Sequence, residues 1–503
     1  MKEMSIPIDT QLVDKASDGK LNRLFFMLAP FLVTALLLLM PVPEGLQPYA
    51  WYYFAIFVGV IVGLIFEPLP GAVIGLTGVV AIALTSQWVL FSPEDMAAPK
   101  FKLAAESFKW AVSGFGNSTV WLIFGAFMFA AGYDKTRLGR RLALILVKYL
   151  GRRSLTLGYA IMFADLLLAP FTPSNTARSG GTIYPIIANL PPLYGSKPND
   201  PSARKIGSYL MWVAITATCI TSSMFLSALA PNLLALALVK STVGISISWG
   251  NWFVAFLPLG ILFLLTMPLL AYWFYPPEVK FNDEVPRWAS AELVKLGRLS
   301  RNEILLLVFV CAALIMWIFA ASVIEPAMAA LLIIGLMLWT GVLEWNDITS
   351  NKAAWNTFFW FATLVALAGG LSSTGFIAWL GKEGGMLMSG ISAGTATVML
   401  LVAFYLLHYL FASATAHTTA LLPAMLTIAS TIPGMNMEVF CMLMVTSLGV
   451  MGIITPYGTG PSPIYYGSGY LPTADYWRLG TIFGAIFLVA LLVIGYPWMV
   501  MMF

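Results

Sequence analysis

The sequence predicts an all-α polytopic membrane protein with about 11 transmembrane helices, two re-entrant hairpins and two halves related as inverted-topology repeats. Three observations predict it. Of 503 residues, 59% are hydrophobic and 10% charged, with a mean hydropathy of +0.85, whereas a soluble chain carries about 25% charged residues. Two long apolar stretches each have a polar, Pro/Gly-marked centre. Those two centres come into register when the chain is slid along itself.

Composition also removes several functions. Net charge is only +4, from 27 Lys+Arg against 23 Asp+Glu, too balanced for a nucleic-acid binder. Cys219, Cys311 and Cys441 stand far apart in apolar runs, a pattern that makes neither a disulfide framework nor a metal site.

The first apolar run, Leu24 to Met40, follows a polar N-terminal segment (residues 1–23) and ends at Pro41-Val42-Pro43 without a small-residue cleavage site. It reads as a transmembrane helix and not as a removable signal. Further spans are expected at about 51–67, 69–86 and 118–133, then an interrupted stretch at 155–191. Long spans follow at 207–241, 251–275, 302–320, 326–343 and 356–372. A second interrupted stretch covers 396–430, and spans at 438–470 and 477–500 complete the chain.

Basic residues orient these spans. With a cytoplasmic N-terminus and hairpins that re-enter on their own side, 21 of the 27 fall on the cytoplasmic side. Only Lys100, Lys102, Lys109, Lys240 and Lys382 fall outside. The bias is that of the positive-inside rule, and it places the C-terminus in the periplasm. Arg178 alone falls at membrane depth.

At an offset of 239 residues, Ser174, Thr176 and Ala177 meet Ser413, Thr415 and Ala416, and Arg178 meets His417. Asn117 meets Asn356, and Trp121 meets Trp360. With an odd number of spans per half, the halves lie inverted, the architecture of many secondary transporters. Each hairpin is followed by an apolar run broken at its middle: Ser227 to Asn232, containing Pro231, in the first half, and Thr455-Pro456 to Pro463 in the second. Irregular backbone at that depth is tolerated only against protein or a watery cavity, so tips and breaks are expected to enclose one polar pocket.

The pocket chemistry selects an anion. Ser174, Asn175, Thr176, Ser413 and Thr415 offer neutral donors for carboxylate oxygens. Thr455, Pro456, Pro231 and Asn232 mark the breaks, where freed backbone N–H groups add positive dipole ends. A guanidinium at membrane depth is costly and normally functional, so Arg178, and His417 if protonated, are expected to compensate substrate charge. Competing readings exist for each. Tip hydroxyls also form turns and caps. Arg178 can instead tie the tip to a carbonyl or to Asp165, and the pairing with Asp165 is the favoured role for that carboxylate. His417 can be a neutral packing donor, and His408 reads as structural. The expected ligand is a small organic di- or tricarboxylate, with no metal and no cofactor. No HExxH motif, Walker A loop or nucleophile–base pair supports an enzyme.

The segments PFTPSNTARSGG (170–181), NLPPLYGSKPNDPSAR (189–204), FASATAHTTALLP (411–423) and TPYGTGPSPIYYGSGYLPTADYWRLG (455–480) resemble the divalent-anion:sodium symporter family. The likeness runs over nearly the whole chain after residue 23. It is closest to the exchanger branch, which includes bacterial citrate/succinate and tartrate/succinate antiporters and plastid 2-oxoglutarate/malate translocators.

The resemblance implies carboxylates held between paired tip motifs and a transport domain moving against a scaffold domain that dimerises. On this chain that implies scaffold helices at 24–154 and 302–395, transport parts at 155–275 and 396–503, and a cytoplasmic linker at 276–301. It further implies a homodimer in the bacterial inner membrane. In the sodium-coupled branch both tips read Ser-Asn-Thr; here Ala414 replaces the second asparagine, removing an oxygen ligand. Fixed side-chain charge is then expected to stand in for sodium. An empty pocket with unpaired positive charge would be costly to move through hydrocarbon, which implies exchange of citrate or tartrate against succinate. Sodium- or proton-coupled symport is the alternative.

Overall fold

The computed structural model describes residues 10–66, 68–387 and 390–503. Helices dominate the described residues, and the sole β-type pairing among them is an isolated bridge between Arg153 and Phe281. The N-terminal helix α1 runs Thr10–Leu39, so the polar segment expected before residue 24 is helical from Thr10 onward. Residues 1–9, including Lys2, lie outside the described residues.

The first half continues with α2 (Pro48–Phe66), α3 (Gly71–Leu84), α4 (Ser118–Thr136) and α5 (Leu138–Leu150). Then α6 (Ser154–Leu168) descends into a hairpin, and a π-helical arm, Thr176–Ile183, returns from it. The broken pair α7 (Gly207–Met224) and α8 (Ala230–Val243) follows, then α9 (Trp249–Phe274). After a linker helix α10 (Glu284–Leu296) the second half begins with α11 (Arg301–Phe319), α12 (Pro326–Trp339) and α13 (Lys352–Ser373). It continues with α14 (Phe376–Leu387), the hairpin arms α15 (Ala393–Leu407) and α16 (Ala414–Ser430), and the broken pair α17 (Met437–Val450) and α18 (Ser462–Gly467). A final helix, α19 (Thr473–Ala490), extends through a π turn to Met502.

Seven helices have the length and apolarity to cross a membrane, and two of these, Ser154–Phe171 and Ala393–Leu410, are hairpin arms. The remaining five are α2, α9, α11, α13 and α19. The apolar helices α1, α3 and α12, the 19-residue α4 and the two broken pairs complete the eleven crossings.

Repeat symmetry is visible in element lengths. α6 and α15 each have 15 residues and begin 239 positions apart, and each ends in a three-residue 3₁₀ turn, Ala169–Phe171 and His408–Leu410. The match fails locally at Asn117, which caps α4 by accepting from Thr119 N, whereas its counterpart Asn356 lies inside α13. Apart from α1, each half contains five crossings, an odd number, so the halves are inverted.

Burial sorts helices by neighbour. All 18 residues of α7 are buried, so it runs through protein along its whole length. By contrast α11 exposes Ile304, Leu307, Val308, Ile315 and Phe319, an apolar outer face suited to lipid. The two broken pairs cross closely where α7 meets α17. A Cβ on Gly449 would collide with the Ser223 amide and the Cys219 carbonyl, and Val450 N donates to Ser223 Oγ at 2.9 Å. Helix α5 is amphipathic, burying Leu138, Arg141, Leu144 and Val147 on one side. It was not anticipated, because basic residues on its open face make 135–153 read as a loop. Arg141 ties it to the start of α11 through Glu303 at 2.6 Å.

Candidate functional site

The two hairpin tips are built alike. In the first, Ala177 N donates to Ser174 Oγ at 3.2 Å and Arg178 N to Ser174 O at 2.9 Å. In the second, Ala416 N donates to Ser413 Oγ at 3.4 Å and His417 N to Ser413 O at 3.0 Å. Both tip serines therefore cap a returning helix. A capping hydroxyl accepts through a lone pair and keeps its own O–H for another acceptor, so the cap role and a ligand role coexist. Thr176 is exposed, and Ser174, Ser413 and Thr415 are partly so.

The returning arms differ in one respect. The first is π-helical and contains Gly180-Gly181, whereas the second is α-helical. A π turn widens the helix and occurs often at functional sites.

Arg178 is fully enclosed. Its Nε donates to Asp165 Oδ2 at 3.2 Å, and Nη1 donates to the carbonyls of Thr172 (3.0 Å) and Ala228 (2.8 Å). Nη2 lies against the hydroxyls of Thr218 and Thr221, each at 3.2 Å, and of Ser222 at 3.1 Å. Thr221 also donates to Asp165. Every guanidinium N–H group thus has a partner inside the protein. This is the pairing with Asp165 favoured above; it leaves no unpaired positive charge at the tip, and Arg178 binds the hairpin to the first break. Sequence reading missed the hydroxyl stripe on α7, although Thr218-x-x-Thr221-Ser222 is a one-face helical spacing.

The breaks lie slightly off their expected positions. In the first half, irregular backbone covers Phe225 to Leu229, and Pro231 sits in the opening turn of α8, where a missing donor is harmless. Asn232 is buried and donates its amide to Ser222 O at 2.7 Å and to Phe225 O at 3.3 Å, closing the end of α7. Its remaining Oδ1 is an acceptor and cannot grip a carboxylate.

In the second half the break runs from Ile454 to Pro461. Thr455 is buried with Oγ1 unpartnered among the described residues, and Pro456 is partly exposed. The first tip reaches across to this break: Asn175 Nδ2 donates to Thr459 Oγ1 at 2.6 Å, and a Cβ on Gly460 would strike Thr176 Oγ1. Thr459 lay inside the recognised break but was not singled out. Among the described residues no hydrogen bond joins one tip to the other.

His417 is buried against Phe404, Phe411 and His408, with ring centroids 4.3, 5.1 and 5.0 Å away. Neither of its ring nitrogens has a partner among the described residues. His408 has the structural role expected of it: its Nε2 contacts Gly458 O at 2.8 Å, linking the second hairpin to the second break. Each hairpin is thus pinned to the break of its own half, the first through Arg178 and the second through His408. Among the described residues no three His, Cys, Asp or Glu side chains gather to hold a metal ion.

This arrangement, two capped tips meeting two broken helices, coincides with a match to the family model described as the sodium:sulfate symporter transmembrane region, over residues 21–503. The chain belongs to this family. It is the divalent-anion:sodium symporter family that the tip motifs resemble.

The chain is 57% identical over 472 residues to the L-tartrate/succinate antiporter of Escherichia coli (strain K12), covering 94% of this chain and 97% of that protein. The L-tartrate/succinate antiporter of Shigella sonnei matches with the same identity and coverage. Among solved structures, the Alcanivorax borkumensis YdaH transporter, described as having an unusual topology, aligns with a TM-score of 0.54 at 13% identity. That alignment covers 86% of this chain and 98% of the other, and it speaks to the fold alone.

Proposed function

We propose that this protein is a secondary active transporter of the bacterial inner membrane that exchanges small dicarboxylates, L-tartrate against succinate. The observation that carries this reading is 57% identity over 94% of the chain to L-tartrate/succinate antiporters. The tips supply what a dicarboxylate needs: hydroxyl donors at Ser174, Thr176, Ser413 and Thr415, and helix starts whose backbone N–H groups favour an anion. Citrate, with a third carboxylate, is the competing substrate, and a sodium- or proton-coupled symporter is the competing mechanism.

In this reading the hairpins and broken helices (155–275 and 396–503) move as a transport domain against scaffold helices at 24–154 and 302–395, in an elevator-type cycle. The scaffold carries the homodimer contact, the N-terminus is cytoplasmic and the C-terminus periplasmic. Asp165 neutralises Arg178, so a requirement for loaded exchange has to come from elsewhere. His417 is the remaining cation candidate at the tips. Sodium is not required, because Ala414 stands where a second tip amide would ligate it.

Competition against labelled succinate in reconstituted vesicles tests the substrate. L-tartrate is expected to compete more strongly than citrate, malate, fumarate or 2-oxoglutarate. Stronger competition by citrate would reassign the third-carboxylate role to this pocket.

A further inference from the structure

Between α4 and α5 the chain turns through a single residue, Arg137, with φ 60° and ψ 16°. Arg137 and Asn199 are the two non-glycine residues with positive φ among the described residues. The corresponding junction of the second half, between α13 and α14, uses Gly375 at φ 81°. Glycine adopts this conformation without strain, whereas a side chain there is strained. The turn itself therefore does not call for arginine, and strain of this kind gathers at functional positions.

The side chain faces a cavity of about 340 Å³ whose lining includes Tyr133, Asp134, Arg137, Arg140, Thr182 and Asn189. One wall is the α4–α5 junction and the other is the returning arm of the first hairpin. That arm exposes Thr176, Ala177, Gly181, Pro185 and Asn189, a continuous track from the tip to the cytoplasmic loop.

Of the other cations in 135–153, Lys135 pairs with Glu344 and Asp347, Arg140 with Glu292, Arg141 with Glu303 and Arg152 with Asp283, while Lys148 and Arg153 lie over the rings of Tyr149 and Phe281. Arg137 has no ion pair or side-chain hydrogen bond among the described residues. Asp134 is the one acidic group in the lining, and Lys295 shares Glu292 with Arg140. Within the lining itself Arg137 and Arg140 outnumber Asp134, and of these two cations only Arg140 has a carboxylate partner among the described residues. The start of α5, a 13-residue helix, adds its positive dipole end.

We propose that Arg137, supported by Arg140, forms a docking site for small dicarboxylate dianions at the cytoplasmic mouth, which collects the substrate before it reaches the first tip. This rests on the exchange reading above and adds a position to it. A single unpaired charge in a low-dielectric mouth raises local anion concentration and on-rate in a salt-dependent way.

The test compares wild type, Arg137→Gly and Arg137→Lys in vesicles of each orientation, with succinate or L-tartrate as the probe. Glycine suits φ 60°, so Arg137→Gly should fold as well as wild type, checked by its Tm. Its KM on the cytoplasmic face should rise about three- to tenfold, with kcat and the KM on the opposite face unchanged, and its dependence on ionic strength should flatten. Arg137→Lys should stay near wild type. An Arg137→Gly protein with the wild-type cytoplasmic KM and salt dependence overturns the docking site, as does an equal change on both faces. A wild-type protein that exchanges neither dicarboxylate overturns the exchange reading itself, and this shows before any variant is compared.

Discussion

Arg178→Met is the most informative substitution in the first tip. It removes a guanidinium that is 0% exposed and leaves Asp165, 1% exposed, as a buried unpaired carboxylate. Removing one partner of a buried pair costs about 3–5 kcal/mol. The carbonyls of Thr172 and Ala228 lose their donor as well, at about 1–3 kcal/mol for each group left unsatisfied. The expected result is a large fall in thermal stability in detergent together with loss of exchange. Adding Asp165→Leu should restore more than half of the lost stability, because replacing both members of a buried pair by apolar groups is often close to neutral. Exchange should stay low, since the tip is no longer tied to the Ala228 carbonyl. A stable Arg178→Met protein that binds no substrate would refute this and make Arg178 a direct ligand.

Four further outcomes follow from other contacts. Asn175→Ala and Thr459→Val each break the 2.6 Å bond between the first tip and the second break; a double-mutant cycle should show coupling of about 1 kcal/mol. Gly449→Ala should destabilise by about 1–3 kcal/mol, read as a lower Tm, because its Cβ meets backbone of α7. His417→Gln should keep the fold but permit uptake into unloaded vesicles, measured as tracer entry without counter-substrate. Asp347 supplies a pH test. Burial opposes its ionisation, but bonds from the Glu344 amide and Lys135 outweigh this and hold its pKa below the ordinary 3.8. Its contribution is therefore present above that value and lost as pH falls through the depressed one. Asp347→Asn should lower stability at pH 7 by under about 1 kcal/mol, and the difference from wild type should vanish in strong acid.

The spans were legible because apolar runs and Pro/Gly breaks act through local chain physics. The repeat was legible because Ser174 and Ser413 cap equivalent helices at the same spacing. Contacts that depend on three-dimensional crossing were not. Nothing in the spacing of Asn175 and Thr459, 284 residues apart, reveals that they bond. Arg178 was recognised as exceptional, yet its chemistry depends on α7, whose Thr218, Thr221 and Ser222 read as ordinary small residues in an apolar helix. His408 read as structural, but its partner could not be named because it is a backbone carbonyl, Gly458 O, which no side-chain pattern reports. Asn232 was assigned to the pocket as a mark of the first break, and its amide repairs the end of the broken helix. In a membrane such repair is obligatory, so polarity beside a break identifies the break before it identifies a ligand.

Counterflow in sodium-free vesicles tests the central claim most directly. Proteoliposomes loaded with succinate should take up labelled L-tartrate, and identical vesicles without succinate should not, whether or not a sodium gradient is imposed. Uptake into unloaded vesicles driven by inward sodium would contradict exchange and make the protein a coupled symporter.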